Sequence, residues 1–419
     1  MTVASLEFLL CLWTGSAIVF RLPAGAARRA ALLLADLVVL WLLLPNLASA
    51  LFLGLVLLSG YGVGQALRAR PRTWLFGLYL AALLAAFVVA QKYTFLDAIG
   101  AGALLRHPIA VAGLSYVLFR QIHYLVDALQ GQIASTSPAA YLAYQINLFA
   151  LLAGPIQRFQ EFEPGWRDPR PHLTDRHDLL RAHFRVLIGV VKVAAIAAVL
   201  QYVRDKAWLQ LLDGAAAPLP PGALQVLPRF AAAFYGYPAY VYFNFSGYCD
   251  IVIGGAALVG QTLPENFDRP YLSRNLLDFW TRWHRTLGFF IRDYLFGPMY
   301  KLVAERLPRQ APSLAFLCYF VAFFLAGVWH GSTVNFAIFG LLHGAGASTV
   351  KLWEMGIVKR SGRAGLRRYL ASEPVRWAAI GLTLHYVAFA MLYFADAPGN
   401  VATALRLVGA ALRPQGAGS

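Results

Sequence analysis

Two blocks within residues 242–344 decide how this chain is read. Residues 242–296 run YFNFSGYCDIVIGGAALVGQTLPENFDRPYLSRNLLDFWTRWHRTLGFFIRDYLF, and residues 324–344 run FLAGVWHGSTVNFAIFGLLHG. The first block sets Arg, Asp, His, Asn and Glu against Trp, Phe and Tyr between hydrophobic segments. The second places His330 in a segment long enough to enter a bilayer. Polar groups are expensive in such surroundings, so their presence asks for a functional explanation.

Around these blocks the chain is apolar: 59% of its residues are hydrophobic and only 13% are charged, against about 25% in soluble domains. Continuous apolar runs near the length of a membrane-crossing helix recur along it. The runs are unbroken rather than alternating, which disfavours a β-barrel. The expected fold is therefore all-α: one polytopic transmembrane domain over 1–419, with about eleven membrane segments. The net charge of +16 reads as basic loops held on the cytoplasmic side against anionic lipid, not as a nucleic-acid surface. An acidic partner docking on that face fits the same charge. The three cysteines, Cys11, Cys249 and Cys318, lie far apart in apolar contexts. They read as buried hydrophobes, with no disulfide framework and no metal spacing.

Residues 5–20 read as a retained first span, because no basic n-region precedes them and no cleavage site is convincing. The run 30–66 is too long for one crossing, and Pro45-Asn46 marks a turn inside it. Residues 74–91 and 108–129 read as crossings. Residues 139–157 break the positive-inside pattern if they cross, because Arg158, Arg167, Arg170, Arg176, Arg181 and Arg185 follow. A re-entrant segment turning at Gly154-Pro155 removes the conflict and implies a cavity near Gly154. Spans are then expected at 183–203, 313–329, 333–350 and 377–396. Residues 228–243 are aromatic-rich, as interfacial belts are, and 246–262 are small enough for close helix packing. Residues 214–222 and 351–376 read as loops, and the tail after Pro414 as disordered.

In 275–292 the apolar residues Leu276, Phe279, Trp280, Trp283, Leu287, Phe290 and Ile291 form a helical stripe, with Asp278, Arg282 and Arg285 opposite. On one continuous helix His284 falls roughly 80° from the stripe centre. A surface imidazole and a cavity-facing one both fit that position. His330 stands between glycines that allow close approach of chain or ligand, and an imidazole titrating near neutrality suits general-base work. His343 follows in another apolar run. A haem between helices would use a pair so spaced, but needs partners from a further helix. His172, His177 and His183 sit in a charged stretch without zinc spacing and read as solvent-facing. Asp250 and Asn244 lie in or beside a hydrophobic segment. Arginines are the expected partners of the carboxylate, and structural pairing and a direct role both remain open. Glu265-Asn266 reads as a turn and helix-cap signal.

FSGYCDIVIG, LPENFDRPYLSRNLLDFWTRWHRTLGFFIRDYLF and VWHGSTVNFAIFGLLHG together resemble the membrane-bound O-acyltransferase family. The likeness is to its bacterial branch, the alginate O-acetylation and teichoic-acid D-alanylation membrane proteins. GLSYVLFRQIHYLVDALQG at 113–131 and AGPIQRF at 153–159 match the branch's upstream motifs in the same order. The likeness spans roughly 110–345, where the catalytic core is expected. It implies a ring of tilted helices around a central tunnel, with the catalytic histidine at His330 and the branch's second histidine at His284. Arg282, Asn266, Asp293 and Trp329 match surrounding motif positions and are expected to shape the substrate cavity.

The resemblance further implies a bacterial cytoplasmic (inner) membrane enzyme with no bound cofactor and no metal. An acyl thioester, acetyl-CoA or a phosphopantetheine carrier protein, would reach the site from the cytoplasm. An envelope polysaccharide or other secreted hydroxyl acceptor would come from the outer side, with an accessory envelope transferase as a further partner. No serine or cysteine nucleophile stands beside either histidine, so direct transfer is expected, with His284 as an oxyanion donor or as the group that orients His330. Two competing readings are a transporter or acyl relay that passes the group to a partner transferase, with His330 in a proton path, and a membrane scaffold for envelope enzymes.

Overall fold

A computed structural model describes residues 6–23, 25–168, 176–216 and 222–413. The described residues are mostly helical, the only strand-like feature among them being an isolated bridge between Phe267 and Trp283. Among the described residues, five helices are long and apolar enough to cross a bilayer: Leu47–Ala69, Thr73–Ala90, Arg176–Ala216, Ala311–Trp329 and Glu373–Ala395. The remaining expected spans are carried by helices that are shorter, more charged or built differently, so a count of about eleven does not follow from helix length and composition. Leu51, Leu55 and Leu58, on one face of Leu47–Ala69, are exposed, which is unfavourable in water and natural against lipid. The chain is a multi-pass membrane protein. It divides into two compact units.

The first unit comprises 1–189, 248–266 and 284–290. Pro45-Asn46 is a break, as expected: one helix ends at Leu43, and Asn46 caps the next by accepting from the Ser49 amide at 2.9 Å. Leu47–Ala69 packs on Leu114–Leu129 at glycines, Gly60 against the Gln121 side chain and Gly64 against the Tyr124 ring. Leu114–Leu129 is an interior helix with Arg120, Gln121, His123 and Asp127 all buried.

Residues 139–157 do not form a crossing. The helix Pro138–Ile146 has 9 residues, about 14 Å of rise, under half a bilayer core. Non-helical chain follows as far as Arg158, and side chains satisfy its backbone. Asp36 accepts the Leu148 amide at 2.9 Å, Tyr248 accepts Ala153 at 3.3 Å, Thr286 accepts Ile156 at 3.0 Å and His123 accepts Phe159 at 3.0 Å. Protein therefore surrounds irregular backbone, the condition for tolerating it at membrane depth. Gly154 is closely packed on its Cβ side: a Cβ on this residue would stand 2.8 Å from the Tyr116 ring.

The second unit comprises 190–247, 267–283 and 291–419. Ala311–Trp329 and Val334–Ala371 pack at backbone distance. A Cβ on Gly327 would overlap Gly340, one on Gly340 would lie 2.6 Å from the Phe324 carbonyl oxygen, and one on Gly344 2.8 Å from that of Phe320. Small residues one turn apart permit such contact in a membrane, where attraction comes from packing rather than water exclusion. Elsewhere in this unit Arg204 pairs with Asp396 and lies over the rings of Trp208 and Tyr237, at 5.3 and 5.1 Å.

Several expectations need correction. Residues 351–376 are helical rather than loop, the tail of Val334–Ala371 with a kink at Gly362 followed by the start of Glu373–Ala395. Lys, Arg, Leu and Ala are strong helix formers, and a basic composition does not unmake a helix. His177 and His183 lie on Arg176–Val191, not in a loop; His177 is exposed, and His183 is partly buried with Nδ1 against the Leu179 carbonyl at 2.8 Å. Cys249 and Cys318 are buried as expected, but Cys11 is exposed. Asp250 has its arginine: Arg185 donates to it at 3.1 Å and to Glu265 at 2.6 Å. Glu265 is thus an ion-pair partner rather than a cap. His172, Arg170, residues 217–221 of the expected 214–222 loop and the tail from Pro414 lie outside the described residues.

Candidate active site

His330 follows the last turn of Ala311–Trp329 and is partly buried. Its Nδ1 lies 2.6 Å from the Ala326 carbonyl oxygen. A carbonyl only accepts, so Nδ1 carries the proton and Nε2 holds the lone pair. Nε2 has no hydrogen-bond partner among the described residues. Aromatic rings surround the imidazole, with centroids at 4.7 Å for Trp329, 5.8 Å for Phe339 and 5.3 Å for Phe394. A neutral imidazole with a bare Nε2 in apolar surroundings has what a general base needs. The backbone bond holds the ring in that tautomer.

His343, on the neighbouring helix Val334–Ala371, is 1% exposed. Phe339 lies between the two histidine positions, its centroid 4.4 Å from the His343 ring. Trp280 Nε1–H donates to His343 Nδ1 at 3.2 Å. Trp280 stands on Leu276–Arg282, which starts at an Asn275 cap accepting the Asp278 amide at 2.8 Å.

The helix expected over 275–292 is broken. It stops at Arg282; Trp283 is extended and pairs with Phe267, with Asp268 N–H donating to the Arg282 carbonyl at 2.9 Å. His284 then takes a left-handed φ of 46° and Arg285 starts a new helix. The projection that put His284 on the border of one stripe therefore does not apply. His284 belongs to the first unit and is 4% exposed. Its Nδ1 lies 3.1 Å from Asn266 Oδ1 and its Nε2 3.3 Å from the Tyr116 hydroxyl. Asn266 Oδ1 also accepts the Thr286 amide at 3.2 Å and the Thr286 hydroxyl at 2.9 Å, while its Nδ2 faces Cys249 Sγ at 3.5 Å. With Oδ1 as acceptor, His284 donates from Nδ1 and accepts from Tyr116 at Nε2. Both ring nitrogens are thus engaged. Asn266 is the hub of a buried polar cluster rather than a helix cap.

The other motif residues are held locally. Arg282 donates from Nε to Asp278 at 2.7 Å, one turn back, and this bond raises its pKa above the ordinary guanidinium value. Asp293 accepts from Arg292 at 2.7 Å. The structure therefore brings Asn266 together with His284 in the first unit, and Trp329 with His330 in the second. Among the described residues no group of three or more His, Cys, Asp or Glu side chains is arranged to hold a metal.

The profile of the membrane-bound O-acyltransferase family matches residues 73–392, well over half the chain. The chain belongs to the membrane-bound O-acyltransferase family. The match extends on both sides of the stretch that carries the motifs. Among curated relatives of this family member, the teichoic acid D-alanyltransferase of Bacillus subtilis is 28% identical over 69% of this chain and 70% of its own length. The probable alginate O-acetylase of Pseudomonas fluorescens is 29% identical over 66% of this chain, and the peptidoglycan O-acetyltransferase of Helicobacter pylori 29% identical over 58%. The chain spans about half the length of these two relatives, 50% and 47%. The family is that of the membrane-bound O-acyltransferases, and these relatives are named for D-alanyl transfer to teichoic acid and O-acetylation of alginate and peptidoglycan.

Three contributors are not visible in the sequence pattern: Tyr116, Thr286 and Trp280. Tyr116 lies 168 residues from His284, and no local pattern signals such a contact. Trp280 reads as one more member of an apolar stripe. Its indole N–H, a donor that seeks a partner when buried, is the available clue.

Proposed function

We propose that this protein transfers an acyl group, acetyl or D-alanyl, from a thioester donor to a hydroxyl of an envelope polysaccharide or other secreted acceptor, in the bacterial inner membrane. The observation that carries the reading is the His330 imidazole, with Nδ1–H tied to the Ala326 carbonyl at 2.6 Å and Nε2 bare. In the proposed step the acceptor hydroxyl gives its proton to His330 Nε2 as its oxygen attacks the thioester carbonyl carbon. The carbonyl π pair moves onto oxygen. When the intermediate collapses, the C–S bond breaks and the His330 proton passes to the departing sulfur. The products are an ester and a thiol, and the imidazole returns to its starting tautomer.

Membership of the family and the names of its relatives support acyl transfer to envelope polymers. The basic charge of the chain suits a donor carried by coenzyme A or by an acidic phosphopantetheine protein on the cytoplasmic face. Asn266 and His284, in this reading, maintain the architecture of the motif region through their mutual bond, and Arg282, Asp293 and Trp329 shape it. The test is the full-length protein reconstituted in vesicles with acetyl-CoA or a D-alanyl carrier thioester and envelope polysaccharide. Wild type should form ester without any partner transferase. His330→Ala should lose at least about 10²-fold in rate, the usual scale of general-base catalysis, while remaining folded. Transfer at wild-type rate by that variant would remove His330 from the role.

A further inference from the structure

We infer that His343 is a second catalytic residue, donating from Nε2–H to the oxyanion that forms at the acyl carbonyl. The inference rests on the acyl-transfer reading above and deepens it. Trp280 donates to His343 Nδ1 at 3.2 Å, so Nδ1 holds a lone pair and the ring proton of the neutral imidazole sits on Nε2. His343 Nε2 is fully buried and has no hydrogen-bond partner among the described residues. Leaving such a donor unsatisfied is costly, because the group gives up its bond to water and gains none in return. A buried orphan donor calls for an explanation, and beside the His330 base an acceptor supplied by the substrate is the one that fits.

The position fits that use. His343 and His330 contact the same Phe339 ring, at 4.4 and 5.8 Å between centroids. The helices that carry them are locked together through Gly327, Gly340 and Gly344. The two imidazoles hold opposite tautomers, each assigned by its partner. His330 offers a bare Nε2, which takes a proton from the acceptor hydroxyl. His343 offers Nε2–H, which keeps its proton and binds the negative oxygen. Acyl transfer needs one of each. No electron or atom is exchanged with His343, so the balance of the step is unchanged: the C–O bond forms, the C–S bond breaks, and the proton travels by way of His330. The role expected from the resemblance for His284 thus goes to a residue whose donor is available; both nitrogens of His284 are already engaged.

The experiment compares the full-length protein with His343→Ala, His343→Gln and Trp280→Phe in nanodiscs. Acetyl-CoA or a D-alanyl carrier thioester is the donor and envelope polysaccharide the acceptor, and kcat, donor KM and melting temperature are measured. His343→Ala should lower kcat about 10²-fold, the scale for removing one oxyanion donor, and change KM by less than about threefold. His343→Gln, which can present an amide N–H, should recover about tenfold of that loss. A purely packing or water-holding role predicts lower melting temperatures with kcat of the folded protein intact, and that result overturns the inference. If His343→Ala does not fold, Trp280→Phe decides. It keeps an aromatic ring while removing the bond that fixes the tautomer, so kcat of the folded variant should fall several-fold, and an unchanged kcat overturns the inference. His330→Ala separates the two readings. Inactivity there with wild-type kcat in the His343 variants sinks the oxyanion role alone; activity there sinks the general-base reading beneath it.

Discussion

Asn266 Oδ1 gathers the Nδ1–H of His284 at 3.1 Å, and with it both the amide and the hydroxyl of Thr286. One oxygen therefore satisfies three donors and joins the chain before the Phe267–Trp283 pairing to the chain after it. Asn266→Leu removes the acceptor and leaves those donors buried. At about 1 kcal/mol or more for each, the variant should lose about 3 kcal/mol. Thermal unfolding of purified protein in detergent measures this, and a loss under about 1 kcal/mol would show that the cluster is not structural.

His284 itself holds a φ of 46°. A left-handed backbone costs an ordinary residue about 1–2 kcal/mol and glycine almost nothing. His284→Ala should therefore be more destabilising than His284→Gly by about 1 kcal/mol, although glycine is normally the worse helix neighbour. The reverse order would place the residue in an unstrained conformation.

Glycine also serves packing. A Cβ on Gly327 would overlap the Gly340 backbone, whereas one on Gly381 meets nothing within 4 Å. Gly327→Ala must push two helices apart and should cost about 3 kcal/mol, the upper range of overpacking. It should also lower transfer activity, because His330 rides on the displaced helix. Gly381→Ala should be neutral or stabilising by up to about 1 kcal/mol. Melting temperatures of the two single variants, measured side by side, check the pair.

Arg204 is 8% exposed and is held by Asp396 beneath two aromatic rings. Asp396→Leu takes away the buried partner and leaves the guanidinium with the half-exposed Asp205 carboxylate, 3.0 Å from its Nη1, and should cost about 1.5–3 kcal/mol. Arg204→Met combined with Asp396→Leu removes both charges and should recover most of that loss. A double variant no more stable than Asp396→Leu would show that the pair, not the stranded charge, sets the stability.

Much of this architecture is legible in the residues themselves. Apolar runs announce a multi-pass helical protein because a bilayer admits few other solutions. Pro45-Asn46 shows as a helix break because proline lacks the donor that a helix interior requires. The clash between residues 139–157 and the arginines behind them correctly denies that segment a full crossing. His330 stands out as an imidazole at the end of an apolar run, and the RWH and WHG blocks point to the family that the profile match shows.

Other features are hidden because they depend on partners remote in sequence. Helical periodicity runs through Trp283 and His284 without a flaw, yet the helix stops there. The pairing with Phe267 and the three bonds to Asn266 outweigh the local preference. The basic stretch 351–376 reads as loop only when charge is equated with irregularity, although its residues favour helix.

Three conclusions need nothing beyond the order of residues: the chain crosses a membrane as helices, it resembles one family, and His330 is the first histidine to suspect. They follow from composition, spacing and short motifs, all local properties. Which nitrogen of each histidine carries the proton is settled only by the folded arrangement. His330 is set by its own helix through the Ala326 carbonyl, His284 by Asn266 and Tyr116, and His343 by Trp280. An imidazole becomes a base or a donor according to the atom it faces, and for His284 and His343 that atom comes from a distant part of the chain.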